Sequence, residues 1–371
     1  MTSLYDIAIL GATPAGFAAA GFLAKQHLSV VLVDAPAMSA ESPLSDWVPK
    51  DFFKIAHLPR TLQSDSKARA FSEVVYHNAD LSRHVENTLR GTIGYLVHAG
   101  TMTAALKRHA DKAGVKVKTA KHLPRIRLYE DHVELAAAPD VKAKILMIAM
   151  NRPRDVISDL ALPVQNVPQP PMVVAALDVP LPKAKGRPPA DVMHVVECRE
   201  RSDLGMYFVT DHTLHIRLMS ASVASGTRAE ELSSMVRRLQ KAGQLPVDLA
   251  LTKSKGAVWH PPAGVALELE THVAKRCLLV GTAGGFAESI TGQSLYPTVK
   301  SAMIAAEIAA TAIVHKHMQE DLMRFKTAWR KSLADYLRPP NTSLQMLLPL
   351  LFVNQQIVTK FTKALLLGDN I

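Results

Sequence analysis

Apolar runs short enough to be strands alternate with alanine-rich stretches at the start of the chain. Tyr5 to Leu10 is such a run; it ends at Gly11 and reads as a buried strand. Ala15 to Gln26, rich in Ala, Leu and Phe, reads as a tightly packed helix. Ser29 to Val33, closed by Asp34, reads as a second strand. The three make a βαβ unit of the expected length. A second strand–turn–helix pattern lies near the other end. Cys277 to Val280 is apolar, Gly281-Thr282-Ala283-Gly284-Gly285-Phe286 is glycine-rich, and Thr291 and Gly292 open a helix that runs through Ala306-Glu307. Two such units at opposite ends predict one long cofactor held twice, and a dinucleotide such as FAD is the natural candidate. The prediction requires both turns to share one groove.

Between these units the pattern changes. Pro36, Pro43, Pro49 and Pro59 forbid long regular elements after Asp34, so the segment 35–90 is expected to be irregular and to lie over the ligand site. Gly100 to Ala113 reads as a helix. Val115 to Thr119, Arg125 to Tyr129 and His132 to Ala137 read as short strands of a meander, and Ala143 to Ala149 as a buried strand. Pro163 to Pro189 is proline-dense and marks passage into a second region. There Met172–Leu177, Val192–Cys198, Met206–Thr210 and Thr213–Leu218 predict an antiparallel sheet. Thr227 to Glu230 is a capping box for a helix to Ala242. The expected divisions are 1–160 and 256–318 for the cofactor domain, 161–255 for the sheet domain and 319–371 for a helical tail. In that tail Leu344 to Leu367 is apolar, broken by Pro349 and flanked by Lys360 and Lys363. It reads either as a helical pair packed on the body or as a surface for lipid.

Composition narrows the class. Two cysteines in 371 residues, Cys198 and Cys277, make no disulfide framework and favour a reducing, cytoplasmic setting. The first ten residues lack the basic and apolar regions of a signal peptide, and no stretch of 18 apolar residues is present. The histidines are scattered without acidic or sulfur neighbours, so no metal site is expected. The net charge of +10 is spread along the chain, and only 5% of residues are aromatic. No nucleic-acid motif accompanies it, which leaves an anionic ligand or membrane face as the partner of that charge.

In a dinucleotide turn the first glycine permits the bend, the second lets the backbone approach the pyrophosphate and the third lets the helix pack on the strand. Gly11 and Gly16 hold the first and third places, with Pro14 and Ala15 between. Thr13 holds the second, where a side chain is expected to crowd the phosphates. Asp34 stands at the distance suited to a ribose hydroxyl. In the second unit Gly281, Gly284, Gly285 and Gly292 allow close approach, and the amides at the helix start can face anionic oxygens.

These residues resemble the geranylgeranyl reductase-type, FAD-dependent oxidoreductases, within the p-hydroxybenzoate hydroxylase-fold flavoproteins. Leu279 to Ala306 is similar to that family's Gly-Asp-Ala-Ala-Gly-Phe segment, followed by Thr-Gly-Glu-Gly-Ile and a helix ending near Ala-Ala-Glu. Gly256 to Gly264, with Trp259, His260 and Pro262, resembles its Pro-and-Gly segment, and Met206 to Leu218 its aromatic strand pair. The helix around Trp329 and the apolar tail also fit. The resemblance implies an α/β fold: a Rossmann-like FAD-binding domain of the p-hydroxybenzoate hydroxylase and glutathione reductase type, an inserted antiparallel-sheet substrate domain and a C-terminal helical tail. It implies that Gly11 to Gly16 hold the FAD pyrophosphate and Asp34 the ribose. It places Gly281, Thr282, Gly284 and Gly285 at the ribityl and pyrophosphate region, and Thr291, Gly292 and Gln293 near the isoalloxazine ring. The reductant would be external, NADPH or another, since no second nucleotide fingerprint is present.

Several positions depart from that pattern. Thr282 replaces an acid that contacts the flavin, Ser294 a glycine, Ser289 a proline and Ala99 an arginine. Met150-Asn151-Arg152 stands where Ala-Asp-Gly is usual. Each lost charge-assisted hydrogen bond is worth roughly 1.5–3 kcal/mol, so FAD binding is expected to be weakened. Three functions follow as expectations. The first is a reductase acting on an apolar, isoprenoid or lipid-like small molecule at or near a membrane surface. The second is a flavin-dependent monooxygenase. The third is an FAD-poor descendant that binds a lipid or a protein. Tyr207, His260 and Glu288 are acid–base candidates by position alone.

Overall fold

The computed structural model describes residues 4–34, 45–136, 140–151, 160, 172–181, 191–198, 203–210, 212–220, 228–249, 255–315, 317–342 and 344–369. The start of the expected capping box at Thr227, most of the proline-dense 163–189 segment, and Arg152 lie outside these residues.

One sheet is built around the two ends of the chain. Its order is Val273–Ala274, Cys277–Leu279, Val141–Ile148, Leu4–Leu10, Val30–Asp34 and Lys116–Thr119. The four pairings from Cys277–Leu279 to Lys116–Thr119 are parallel. Strands covered on both faces need continuous apolar runs, and Ile7 to Leu10, Val30 to Val33 and Ile145 to Ile148 supply them. The expected meander is reduced to a hairpin, Arg125–Leu128 with Val133–Ala136, laid on Val141–Ile148; the run at 116–119 instead pairs in parallel with Val30–Asp34. Covering one face are the helices Pro14–Lys25, Ala99–Lys112 and Leu295–Val314, whose facing alanines let the backbones come close. Leu295–Val314 has the length and composition to cross a bilayer. Here its buried side is core, packed with the N-terminal helix and with Met318–Leu337.

A seven-stranded sheet forms the second layer system, in the order Lys255–Trp259, Val173–Pro180, Thr213–Ser220, Asp203–Thr210, Val192–Glu197, Glu73–His77 and His84–Thr88. Two of these strands come from the segment 35–90 that was expected to be irregular, and Lys255–Trp259 straddles the boundary expected at 255. The sheet is also not wholly antiparallel: Val192–Glu197 runs parallel to Glu73–His77. A further strand of the same segment, Ser45–Pro49, pairs with Gly94–His98 in a small third sheet. Pro36 and Pro43 lie outside the described residues; Pro49 ends a short strand and Pro59 precedes the short helix Leu62–Asp65, so neither sits in one long loop.

The seven-stranded sheet buries both faces. Alternate residues Met206, Phe208 and Met219 join a core with Trp47, Phe71, Val74 and the C-terminal Leu344, Leu348, Val358 and Phe361. Tyr207, Val209, Ile216 and Leu218 point the other way, onto Leu232, Met235, Val236 and Leu239 of the helix Arg228–Lys241. The apolar tail thus packs largely on the body, as one of its two expected readings holds.

Candidate functional site

Thr13 caps the N-terminal helix. Its backbone is extended, and its hydroxyl accepts the Gly16 N–H (3.2 Å) and donates to the Ala149 carbonyl (2.7 Å). The side chain is 2% exposed and turned into the fold, so it does not crowd the mouth of the turn as expected. Gly16 is dictated by packing: a Cβ there would lie 2.1 Å from the Gly11 carbonyl oxygen. Asp34 reaches back across the turn, and its carboxylate accepts the Ala12 N–H at 3.1 Å.

The second turn is a single 3-10 turn, Gly281–Gly284, closed by Gly285 in the left-handed region (φ +77°). Two buried side chains outside the expected set hold it. Ser301 accepts the Gly281 N–H (3.0 Å) and donates to the Thr298 carbonyl. His272 donates from Nε2 to the Gly284 carbonyl (2.9 Å), packed among Phe286, Phe325 and Trp329. Burial pushes its pKa down to about 4, so the ring is neutral, and its Nδ1 has no partner. A lone histidine and a helix serine carry no sequence signal for such roles; only the fold brings them to the turn. The Thr282 hydroxyl bonds the Asn151 side chain, tying the turn to the end of Val141–Ile148.

The two turns meet. A Cβ on Gly281 would lie 3.2 Å from the Cβ of Ala15, and one on Gly11 would strike Ala149 and Met150. At this junction the N–H groups of Thr13 and Ala15 on one side, and of Thr282 and Ala283 on the other, make no hydrogen bond within the described residues. Thr13, Ala15 and Ala283 are buried, whereas Ala12, Asp34, Asn151 and Thr282 reach the surface in part. Buried backbone donors without partners are rare, and these four, three of them in buried residues, sit at two adjacent helix- or turn-starts and are a candidate donor set for an anion. This set fits a dinucleotide's pyrophosphate.

Beyond it the chain does not enter the long helix at Thr291 as expected. Residues 288–293 form a closed loop and the helix begins at Leu295. The Glu288 carboxylate organises the loop, accepting the Ile290 N–H (2.8 Å), the Thr291 N–H (2.7 Å) and the Thr291 hydroxyl (2.6 Å). Burial raises its pKa to about 7 against those three donors. Gln293 donates to the Trp47 carbonyl and accepts from the Tyr336 hydroxyl, while Ser289 bonds the Leu337 carbonyl. Gly292 (φ +67°) backs onto Pro261 and Met172. The Thr291 and Gln293 side chains are therefore engaged within the loop. The free donors lie one step on, at the N–H groups of Ser294, Leu295 and Tyr296, which make no bond within the described residues.

The acid–base candidates separate. Glu288 is a loop organiser. His260 is exposed. Tyr207 lies on the face away from the loop, stacked on His194 (centroids 4.3 Å apart), with its hydroxyl unpartnered and its pKa raised by burial. The face toward Trp47 instead carries a chain that sequence reading missed. Asp178 bonds His215 Nδ1 at 2.7 Å, and Thr210 bonds Nε2 at 2.6 Å. The three lie on adjacent strands, with Asp178 directly opposite His215 in the register. Spacing of 5 and 37 residues gives no motif; strand pairing makes the cluster.

No protein-family model matches the chain. A curated digeranylgeranylglycerophospholipid reductase of Methanosarcina acetivorans is 27% identical over 159 residues, a match that spans 40% of this chain and 38% of that protein's length. A solved geranylgeranyl bacteriochlorophyll reductase-like protein of Thermoplasma acidophilum superposes with a TM-score of 0.72 at 14% identity, covering 98% of this chain and 96% of its own. The flavin-dependent brominase Bmp2 superposes at 0.66 with 12% identity, covering 99% and 96%.

Proposed function

Because the chain carries the fold of the geranylgeranyl reductase-like, flavin-dependent oxidoreductases, we propose that it binds FAD and reduces an apolar, isoprenoid or lipid-like substrate. The observation that carries this is the meeting of the two turns with four unpartnered amides between them. The N–H groups of Thr13 and Ala15, and of Thr282 and Ala283, would hold the pyrophosphate, and Asp34 would sit at the ribose. Ser294, Leu295 and Tyr296 would offer their amides to the flavin's carbonyl edge, where a helix N-terminus favours negative charge. The bound flavin supplies hydride chemistry, which the protein orients and keeps dry.

The protein's own part is positional. Glu288 and Gln293 fix the loop beside which the ring would lie, and Trp47 and Met172 wall it with apolar surface. The Asp178–His215–Thr210 chain is the acid–base unit on the facing sheet, able to hold a proton at the Thr210 hydroxyl or at His215. The setting proposed is cytoplasmic. NADPH or another soluble reductant would serve from outside.

The test is direct. The purified protein is expected to be yellow or to take up FAD, with a rise in melting temperature that follows added FAD by mass action. Then reduction of a geranylgeranyl-bearing lipid, with no dependence on oxygen, separates the reductase from a monooxygenase. A second reading, an FAD-poor descendant of the fold, draws on one observation: the Thr282 hydroxyl is engaged by Asn151 where the resembled pattern has an acid. No stabilisation at millimolar FAD would select it.

A further inference from the structure

Among the buried residues of the helix Leu295–Val314 only two are polar, Thr298 and Ser301. The Ser301 hydroxyl is fully engaged, with the Gly281 N–H and the Thr298 carbonyl. The Thr298 hydroxyl is buried to the same degree and has no partner. Helical threonines commonly bond the carbonyl four residues back. Here the Ser294 carbonyl takes the Thr298 N–H at 2.8 Å, and the side-chain oxygen turns away from it.

Gly281 shows where that oxygen lies. A Cβ on Gly281 would stand 3.1 Å from the Thr298 methyl, 3.2 Å from the Ala15 Cβ and 3.7 Å from the Thr298 hydroxyl oxygen. Glycine leaves that place unfilled. The hydroxyl therefore sits at the seam of the two turns, beside Ala15 and next to Thr282, whose N–H groups make no bond within the described residues. It also lies one helical turn on from Ser294, whose N–H is likewise unbonded. A buried hydroxyl without a partner costs stability. Packing does not call for one here, since valine has the same branched shape without the polar atom.

We propose that the Thr298 hydroxyl is a fifth donor for the bound dinucleotide and gives its hydrogen bond to a pyrophosphate oxygen. The proposal rests on the flavin reading above and adds to it a side chain that no spacing in the sequence singles out. Unlike the four amides, this donor can be removed without changing the backbone.

The test pairs thermal unfolding with ligand titration on the full chain. Ligand-free Thr298→Val is expected to melt at or above the wild-type temperature, because a partnerless polar atom has gone. Its affinity for FAD, followed by flavin fluorescence, should fall about tenfold. Its affinity for ADP, which carries a diphosphate without the ribityl chain and ring, should fall by a similar factor. Thr298→Ser keeps the hydroxyl and should bind both ligands within about twofold of wild type.

A Thr298→Val variant that binds FAD like wild type overturns the proposal and leaves the flavin reading standing. So does a loss for FAD with none for ADP, which would put the hydroxyl at the ribityl chain. A ligand-free Thr298→Val that melts well below wild type also overturns it, because the hydroxyl then serves the fold. Wild-type protein that takes up no FAD removes the flavin reading itself, and this proposal with it.

Discussion

The two glycine turns do similar work by different means. The first is local: thirteen residues from Leu4 carry the chain through a strand, a bend and the first turn of a helix, with Thr13 as the cap. The second is assembled at a distance. Its short turn is held by His272 and Ser301, and the loop after it by Trp47, Tyr336 and Leu337. Both turns are crowded, but not at every glycine: a Cβ would lie 2.1 Å from a backbone oxygen at Gly16 and 2.7 Å from one at Gly284, whereas at Gly281 it would meet only side chains.

The largest expected effect follows from that contrast. Gly16→Ala places a Cβ 2.1 Å from a backbone oxygen that nothing can move aside without separating strand from helix. We expect a loss of about 3 kcal/mol in urea unfolding. Gly281→Ala meets only the Thr298 methyl at 3.1 Å and Ala15 at 3.2 Å, at φ +59°. Its cost should stay near the roughly 1–2 kcal/mol of a left-handed residue. Equal losses at both positions would break the comparison.

The same contrast explains what was legible beforehand. Strand, helix and glycine spacing of the first unit follow from residues near in sequence, so its elements were readable. The sequence pattern starts the second helix four residues early because Thr291 and Gly292 look like a helix start. In the fold Glu288 captures their amides and delays it to Leu295. Thr13 looks like an obstruction because a sequence does not show which way a side chain turns; the Ala149 carbonyl, 136 positions away, decides that. The Asp178–His215–Thr210 chain was invisible for the same reason, since register alone aligns it. Position along the chain does not show that Tyr207 faces away from the loop while its neighbours Met206 and Phe208 face it.

Next in size are pH effects, which should trace mainly to the second region and the histidines of the large sheet. Glu288 is raised from 4.5 to about 7 by burial, against hydrogen bonds from Thr291 and Ile290. The folded state holds a proton that the unfolded chain releases, so this stability is full below about pH 4.5 and lost as pH rises through 7. Burial lowers His272 from 6.5 to about 4, and it also lowers His77 and His194, which are bonded to each other at 3.0 Å. Their contribution is full above 6.5 and is lost as pH falls below it, for His272 through about 4. Between 4.5 and 6.5 the two trends oppose. Glu288→Gln removes one of them, so its urea midpoint should fall more steeply than wild type as pH drops across that window. The difference should be on the order of 3 kcal/mol. Parallel pH profiles would mean that Glu288 is not buried in the folded protein.

A smaller effect distinguishes the turns by ligand rather than stability. Thr282→Asp restores the acid of the glycine-rich segment that this turn resembles, at a position whose hydroxyl now bonds Asn151. FAD affinity, followed by fluorescence titration, should rise about tenfold, the worth of one charge-assisted hydrogen bond. An unchanged affinity would place the flavin elsewhere.

The smallest effect is expected at the position that looked most disruptive. If Thr13 blocked the pyrophosphate, Thr13→Gly would tighten FAD binding. Its hydroxyl instead lies between the Gly16 amide and the Ala149 carbonyl, and its own N–H is the group left for the ligand. Glycine keeps that N–H and is a tolerable cap, so the helix loses only a few tenths of a kcal/mol. The Ala149 carbonyl loses one donor, which brings the total to about 1 kcal/mol in urea unfolding. FAD affinity should not rise. A gain comparable to that of Thr282→Asp would show that the threonine side chain turns outward when the ligand enters, and the two halves of the clasp would then share one kind of defect.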